Sequence, residues 1–192
     1  MPANTPIKVC SRASVLMGGS PISAFDEGTA EADVVDALYE DIARSSLTSS
    51  RWRFATNQQV LNRLASAPTG RFDAAYQMPS DLLMLSAVTV GDHPIQYDTY
   101  GDKIYGDIDT NDVVIADYIY RAAEAYWPPY FTLAVEFQVA SMLAISIARD
   151  ATLAQMMDQQ AERQMMKARR LDSQQQTTRK LQTTRFIAQR RS

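Results

Sequence analysis

The last third of the chain has no glycine and no proline: neither residue occurs after Pro129. Glycine and proline are the strongest interrupters of regular structure, so their absence favours long helices. Pro128 and Pro129 stand immediately before this segment, where the first turn of a helix tolerates a residue that lacks an N–H group. The sequence therefore predicts a long helix that starts at this proline pair.

This segment divides into two helices of different character. From Tyr130 to Ala148 the side chains are apolar on nearly every face, which is typical of a buried helix. Glu136 and Gln138 interrupt the run, and it is short for a membrane span. The pattern resets at Arg149 and Asp150, and a second helix, packed on the first, is predicted after them. Its apolar stripe has three-and-four spacing and consists of Leu153, Met156, Met157, Ala161, Met165, Ala168 and Leu171.

Two further helices are predicted near the N-terminus. Apolar residues at helical spacing run from about Thr5 to Met17 and stop at a pair of glycines. Thr29 can cap a second helix, because acidic residues crowd the turn that follows it. An apolar residue then recurs every fourth position, which indicates an amphipathic helix; these residues are Val34, Leu38 and Ile42.

The middle of the chain has the pattern of β-hairpins. Short runs of β-branched and aromatic residues alternate with Gly-Asp and Asn-Asp clusters. We expect the runs to pair in one small antiparallel sheet. The predicted strands lie near Leu82 to Val90, Ile95 to Tyr100, Lys103 to Tyr105 and Val113 to Tyr120.

These elements predict a mainly α fold with inserted β structure. At 192 residues, the chain is long enough for one domain with a proper core. We expect residues 1–55 and 120–171 to form a helical bundle built from both chain ends, and residues 56–119 to form a β-rich insertion. Residues 172–192 would then be an extended C-terminal arm.

Charge is distributed unevenly along the chain, with an acidic body and a basic C-terminal end. From Ala161 onward the sequence has nine basic and two acidic residues, a net charge of +7, and the total of −3 leaves −10 on the residues before it. The arm has too few apolar residues to form a core, so it is expected to fold only on a partner surface. Phe186 and Ile187, set among bases, favour a groove on another protein, whereas a nucleic-acid arm would show more aromatic residues. The predicted docking residues are Arg179, Lys180, Arg185, Phe186, Ile187, Arg190 and Arg191.

Side chains able to carry out catalysis are scarce. His93, the single histidine, lies in a turn beside a proline, and Cys10, the single cysteine, lies in a helix without a histidine to activate it. Turn aspartates at positions 98, 102, 107, 109 and 112 lack the order and final glutamate of a calcium loop. The sequence predicts no catalytic residue, metal or cofactor, hence a protein that is not an enzyme. Its N-terminus, MPANTPIKVC, lacks the pattern of a secretory signal.

The order of these motifs resembles one family. A small-residue turn, LMGGSP, precedes the acidic helix, and a tryptophan flanked by arginines follows in RWRF at residues 51–54. YQMPSDLLMLSAV and KIYGD come next, and YWPPYFTLAVEFQVASMLAISIARD leads into a polar, charged final helix. Between Val9 and Leu171 the sequence resembles the tail tubular protein A family, the head-to-tail adaptors of short-tailed bacteriophages.

The resemblance implies a structural protein of the virion tail, assembled in the host cytoplasm. Such adaptors form a closed ring of about twelve copies between the portal and the tail, which requires two different contact faces on each subunit. The expected partners are the portal protein, bound by the C-terminal arm, a downstream nozzle or tubular tail protein, and further copies of this chain, with no membrane. Viral DNA would pass through the ring without specific binding, because an acidic wall repels phosphates.

Other readings of the sequence stay open. The chain could be a different phage assembly protein, or a DNA-binding protein that acts through its basic arm. In each reading Trp52 is expected to be structural and buried where the helical bundle meets the sheet.

Overall fold

Two helices precede the strands and two follow them in the computed structural model, which describes residues 4–65 and 70–175. The helix α3 packs antiparallel to α4, and α1 and α2 also pack against α3. The hydroxyl of Ser141 on α3 donates to the carbonyl oxygen of Ala154 on α4, 3.1 Å away. The helices are α1 (Pro6–Leu16), α2 (Ala30–Thr48), α3 (Pro129–Ser146) and α4 (Ala151–Gln174).

The predicted helix starts are confirmed by their capping bonds. The hydroxyl of Thr29 accepts the backbone N–H of Ala32 at 3.3 Å, as expected for the first residue before α2. Pro129 is the first residue of α3. At the reset between the last two helices, Arg149 adopts a left-handed backbone, φ 51°, and the Asp150 carboxylate caps the next turn. The chain can therefore reverse there without glycine.

Between α2 and α3, the described residues form seven strands. They form two antiparallel sheets, one in the order β1-β7-β3-β4 and the other in the order β2-β6-β5. The strand predicted from Leu82 to Val90 has those same bounds. The strands are β1 (Thr56–Val60), β2 (Ala74–Gln77), β3 (Leu82–Val90), β4 (His93–Pro94), β5 (Asp98–Tyr100), β6 (Lys103–Gly106) and β7 (Val114–Tyr120).

The expected fold class, a mainly α helical bundle built from both chain ends with one small sheet, is wrong. Of the described residues, 46% are helical and 21% lie in strands, and the two antiparallel sheets make this an α/β fold. No pattern in the sequence indicated β1, whose residues TNQQV are nearly all exposed and largely polar. That strand forms because its backbone pairs with β7, and its side chains do not show the alternation of apolar and polar residues that would predict a strand. Strands β2 and β4 were missed because they are four and two residues long, too short to show an alternation, although β2 is largely buried.

Two hydrophobic cores share strand β7. The first core lies among the four helices and includes Ile119 of β7, while the second lies between the sheets and includes Val114 and Ala116. One strand therefore buries residues in both cores, which ties the helices to the sheets. Within the described ranges, no helix has the length and apolar character needed to cross a membrane.

Candidate docking surface

The end of α4 is fastened to the rest of the molecule by a buried carboxylate. Asp172 lies in the last turn of α4 and is 5% exposed. Its two oxygens accept the hydroxyl of Tyr130 at 2.9 Å and the backbone N–H of Arg53 at 3.1 Å. Burial, followed by the bond to Asp172, raises the pKa of Tyr130 to about 12, so this hydroxyl stays a donor at neutral pH. The last turn of α4 is consequently held in a fixed position.

Trp52 lies beside this point and is completely buried. Its ring packs edge-on against Phe131, with centroids 5.0 Å apart, and its indole N–H donates to the carbonyl oxygen of Ser46 at 3.0 Å. Pro128 is the residue before α3, and Pro129 occupies its first turn. These residues hold the start of α3 against the segment between α2 and β1. The predicted docking residues Arg179, Lys180, Arg185, Phe186, Ile187, Arg190 and Arg191 lie outside the described residues.

An ionic cluster fixes α2 against the end of β7. Arg121, the residue after β7, donates to Glu40 of α2 at 2.9 Å and also pairs with the buried carboxylate of Glu124. The hydroxyl of Tyr39, also on α2, donates to Glu124 at 3.0 Å. The bond from Arg121 is the main cause of the lowered pKa of Glu40, so this carboxylate remains charged to lower pH than an ordinary glutamate. The outer face of α2 is thereby held in one orientation.

That outer face is acidic. Asp33, Asp36 and Asp41 are exposed along α2, and Glu40 lies beside them. The helix has one base, Arg44, which is 2.7 Å from Glu40. The acidic excess of the body therefore includes a continuous negative face on α2.

A groove opens beside this face, between α2 and α4, with α3 as its floor. It has a volume of about 340 Å³. Leu38 and Met142, 37% and 45% exposed, supply apolar surface, and Asp41 and Asp158 supply a negative charge from each flanking helix. The remaining lining residues are Ile42, Ser45, Gln138 and Ser141.

The sequence missed this groove because the apolar stripe it indicated on α2 lies at the edge of the core, where Val34 and Ile42 pack against the first core and Leu38 is exposed. The recurrence of Val34, Leu38 and Ile42 suggested a stripe turned inward, but none of the three is fully buried. The buried residues of α2 lie one position further along, and alanine, tyrosine and serine among them weaken the hydrophobic signal; they are Ala32, Val35, Tyr39, Ala43, Ser46 and Leu47. The predicted stripe of α4 is also only partly buried. Its Met156 is exposed and its Met165 is buried, while Met166, which is outside the stripe, is exposed.

A second apolar groove, of about 290 Å³, lies between α1 and α3. Val15 and Leu16 at the end of α1 are exposed there. On its polar side, the guanidinium of Arg12 forms an ion pair with Glu136, whose side chain is almost buried. Burial raises the pKa of Glu136 above its ordinary value, and attraction to Arg12 offsets this only in part.

Replacing Glu136 with glutamine should change the pH dependence of stability. Because the native pKa of Glu136 lies above that of the unfolded chain, the native state binds this proton more tightly. The wild type should gain stability relative to Glu136→Gln as the pH falls from the raised value to the ordinary value of 4.5. Urea unfolding across that range measures the difference.

The matched control for this measurement is Glu162→Gln, a change on the exposed side of α4. That variant should follow the wild type across the same pH range. A wild type that loses stability relative to Glu136→Gln as the pH falls would show that the ion pair with Arg12 outweighs burial.

The side chains considered for catalysis or metal binding lie apart from both grooves. Cys10 is buried in α1, where burial is the main cause that raises the pKa of its thiol to about 12, and His93 is exposed on β4. Of the turn aspartates, Asp102 accepts the side-chain amide of Gln77 at 2.9 Å. Among residues 4–65 and 70–175, no group of three or more histidine, cysteine or acidic side chains is placed to hold a metal ion.

No protein-family model matches this chain, and no curated protein is significantly similar to it. The resemblance to tail adaptors thus stays a prediction based on the order of sequence motifs.

Proposed function

We propose that this protein is a head-to-tail adaptor of a short-tailed phage, a structural protein that carries a portal-docking arm. The observation that carries the proposal is the fastened end of α4, which a basic segment follows in the sequence of an otherwise acidic chain. Asp172 and Tyr130 hold the end of α4 through a bond of 2.9 Å, so the arm begins at a defined position. A basic segment anchored in this way suits attachment to a larger partner, with its charges guiding approach.

The ring form of the proposal is supported by the two grooves. A closed ring of about twelve copies needs two different faces that fit one another on each subunit. The groove between α2 and α4 and the groove between α1 and α3 lie on different helix pairs and differ in shape and charge. Each could receive apolar side chains of a neighbouring copy or of the downstream tail protein.

The net negative charge of the body supports the proposal that viral DNA passes along it. A wall of net negative charge repels phosphates, so DNA moves along it without binding specifically. The face of α2 with Asp33, Asp36 and Asp41 is the most acidic helix face described above and is proposed to face the channel.

The test is the light-scattering mass of the full-length protein, alone and after mixing with portal rings of the same virus. The proposal expects a small species alone and about a dozen copies on each portal ring. No association with the rings would contradict it. In that case, DNA binding that weakens steeply with salt would favour a phosphate-binding arm.

A further inference from the structure

The groove between α2 and α4 lies on the helix whose last turn precedes the arm in the sequence. Near the ends of both helices, the guanidinium of Arg169 donates to the carbonyl oxygen of Ser49 at 3.3 Å, and the Ser49 hydroxyl lies 3.9 Å from the sulfur of Met165. Toward the helix starts, the groove separates α2 from α4. The groove and the last described residue, Gln175, therefore lie along the same helix pair, with these contacts between them.

We propose that this groove binds the C-terminal arm of the same chain. The apolar pair Phe186 and Ile187 would cover Leu38, Ile42 and Met142. Leu38 and Met142 are exposed within the described part of the chain, whereas Ile42 is half-buried and also packs against the first core. The arm in turn offers one adjacent apolar pair within a basic run.

The arm is long enough to make this contact. Asp158, at the groove, lies about 25 Å along α4 from Gln175, at a rise of about 1.5 Å per residue. The chain from Gln175 to Phe186 spans up to about 36 Å when extended, at about 3.3 Å per residue. An extended arm that folds back beside α4 is thus long enough to reach the groove, whereas the same residues in a helix would fall short of it.

Charge complementarity favours the same occupant. Asp41 and Asp158 lie on opposite sides of the groove, and Arg185 and Arg190 lie on opposite sides of the apolar pair. Because the arm is tethered to α4, its effective concentration at the groove is high, which favours binding within one molecule over binding between copies.

The effect of this contact on ring assembly rests on the proposed function. If the portal captures the arm, the groove is uncovered and becomes available to a neighbouring subunit of the ring. Attachment to the portal would then precede ring closure, and free molecules would not assemble without a portal.

The test uses a spin label on the full-length protein without any portal. Cys10 is completely buried and its thiol pKa is raised to about 12, so a cysteine introduced as Gln189→Cys takes a nitroxide selectively. The methyl signals of the methionines are compared with the nitroxide active and reduced. The signal of Met142 should lose most of its intensity, while that of Met78, which packs against the second core, should not.

Two pairs of variants sharpen the result. Phe186→Ala with Ile187→Ala should restore the Met142 signal. At low salt, Asp41→Asn with Asp158→Asn should reduce the loss of the Met142 signal. Asp33→Asn with Asp36→Asn, two residues outside the groove lining, should leave the loss of the Met142 signal nearly unchanged.

An unaffected Met142 in the labelled protein would overturn the inference. Loss of the Met142 signal in unlabelled molecules mixed with labelled ones would overturn it as well, because the arm would then bind a second copy. Neither result bears on the portal, so attachment to portal rings remains a separate test of the proposed function.

Discussion

Replacing Trp52 with alanine should lower the free energy of unfolding by about 3–5 kcal/mol, the usual range for removing a large buried aromatic side chain. The ring is completely enclosed and lies between Phe131 and Phe54, with centroid distances of 5.0 and 6.0 Å. Its removal leaves a cavity where α2, α3 and the start of β1 meet. The neighbours belong to three different elements, so they cannot all move inward to fill it.

The lost hydrogen bond adds little to this effect. The carbonyl oxygen of Ser46, which accepts the indole N–H, also accepts the hydroxyl of Ser49 at 2.8 Å. This acceptor therefore keeps a partner in the variant, and the expected cost comes from packing. Trp52→Phe, which retains most of the ring contacts, should lose less stability than Trp52→Ala.

Denaturant unfolding followed by circular dichroism measures both variants. Tyr126→Ala is the matched control, since Tyr126 is also an aromatic residue near the start of α3 but is 71% exposed. It should unfold at nearly the same denaturant concentration as the wild type. If Trp52→Ala did so too, Trp52 would not be a packing residue of the core.

The helices were predictable from sequence because their signals are local. A capping Thr29, an acidic first turn, a proline pair and an Asp150 cap each act within a few residues of the helix that they define. Each of the four helices was therefore found close to its observed bounds. The phase of α2 was missed because Tyr39, a polar aromatic residue, is buried through its bond to Glu124, which lies far away in the sequence.

The strands and the docking surface depend on distant partners. Strand β1 exists because its backbone pairs with β7, and nothing in its polar side chains indicates that pairing. Asp172 is a similar case: in sequence it is the first residue of the predicted arm, yet it lies in α4 and is buried by bonds to Tyr130 and Arg53. The sequence does indicate the opposite charges of body and arm, but the groove between α2 and α4 needs three helices in place.

Removing Arg179 to Ser192 should abolish attachment to portal rings while the body stays folded. The residues that fasten the end of α4, Asp172 and Tyr130, remain in the truncated chain. Its unfolding should be close to that of the full-length protein, because the two described cores are formed by residues that precede the removed segment. The proposed docking residues are all lost, so neither charge attraction nor apolar anchoring to the portal is left.

Cosedimentation with portal rings measures this loss, and unfolding of the truncated protein shows that the body is intact. A second variant, Phe186→Ser with Ile187→Ser, keeps every base of the arm and separates the two contributions. If it fails to attach at any salt concentration, the apolar pair is the anchor and the bases only steer the encounter. If it attaches at low salt alone, charge provides much of the binding. A truncated protein that still attached would place the portal contact on the body, where the two grooves between the helices would be the surfaces to test.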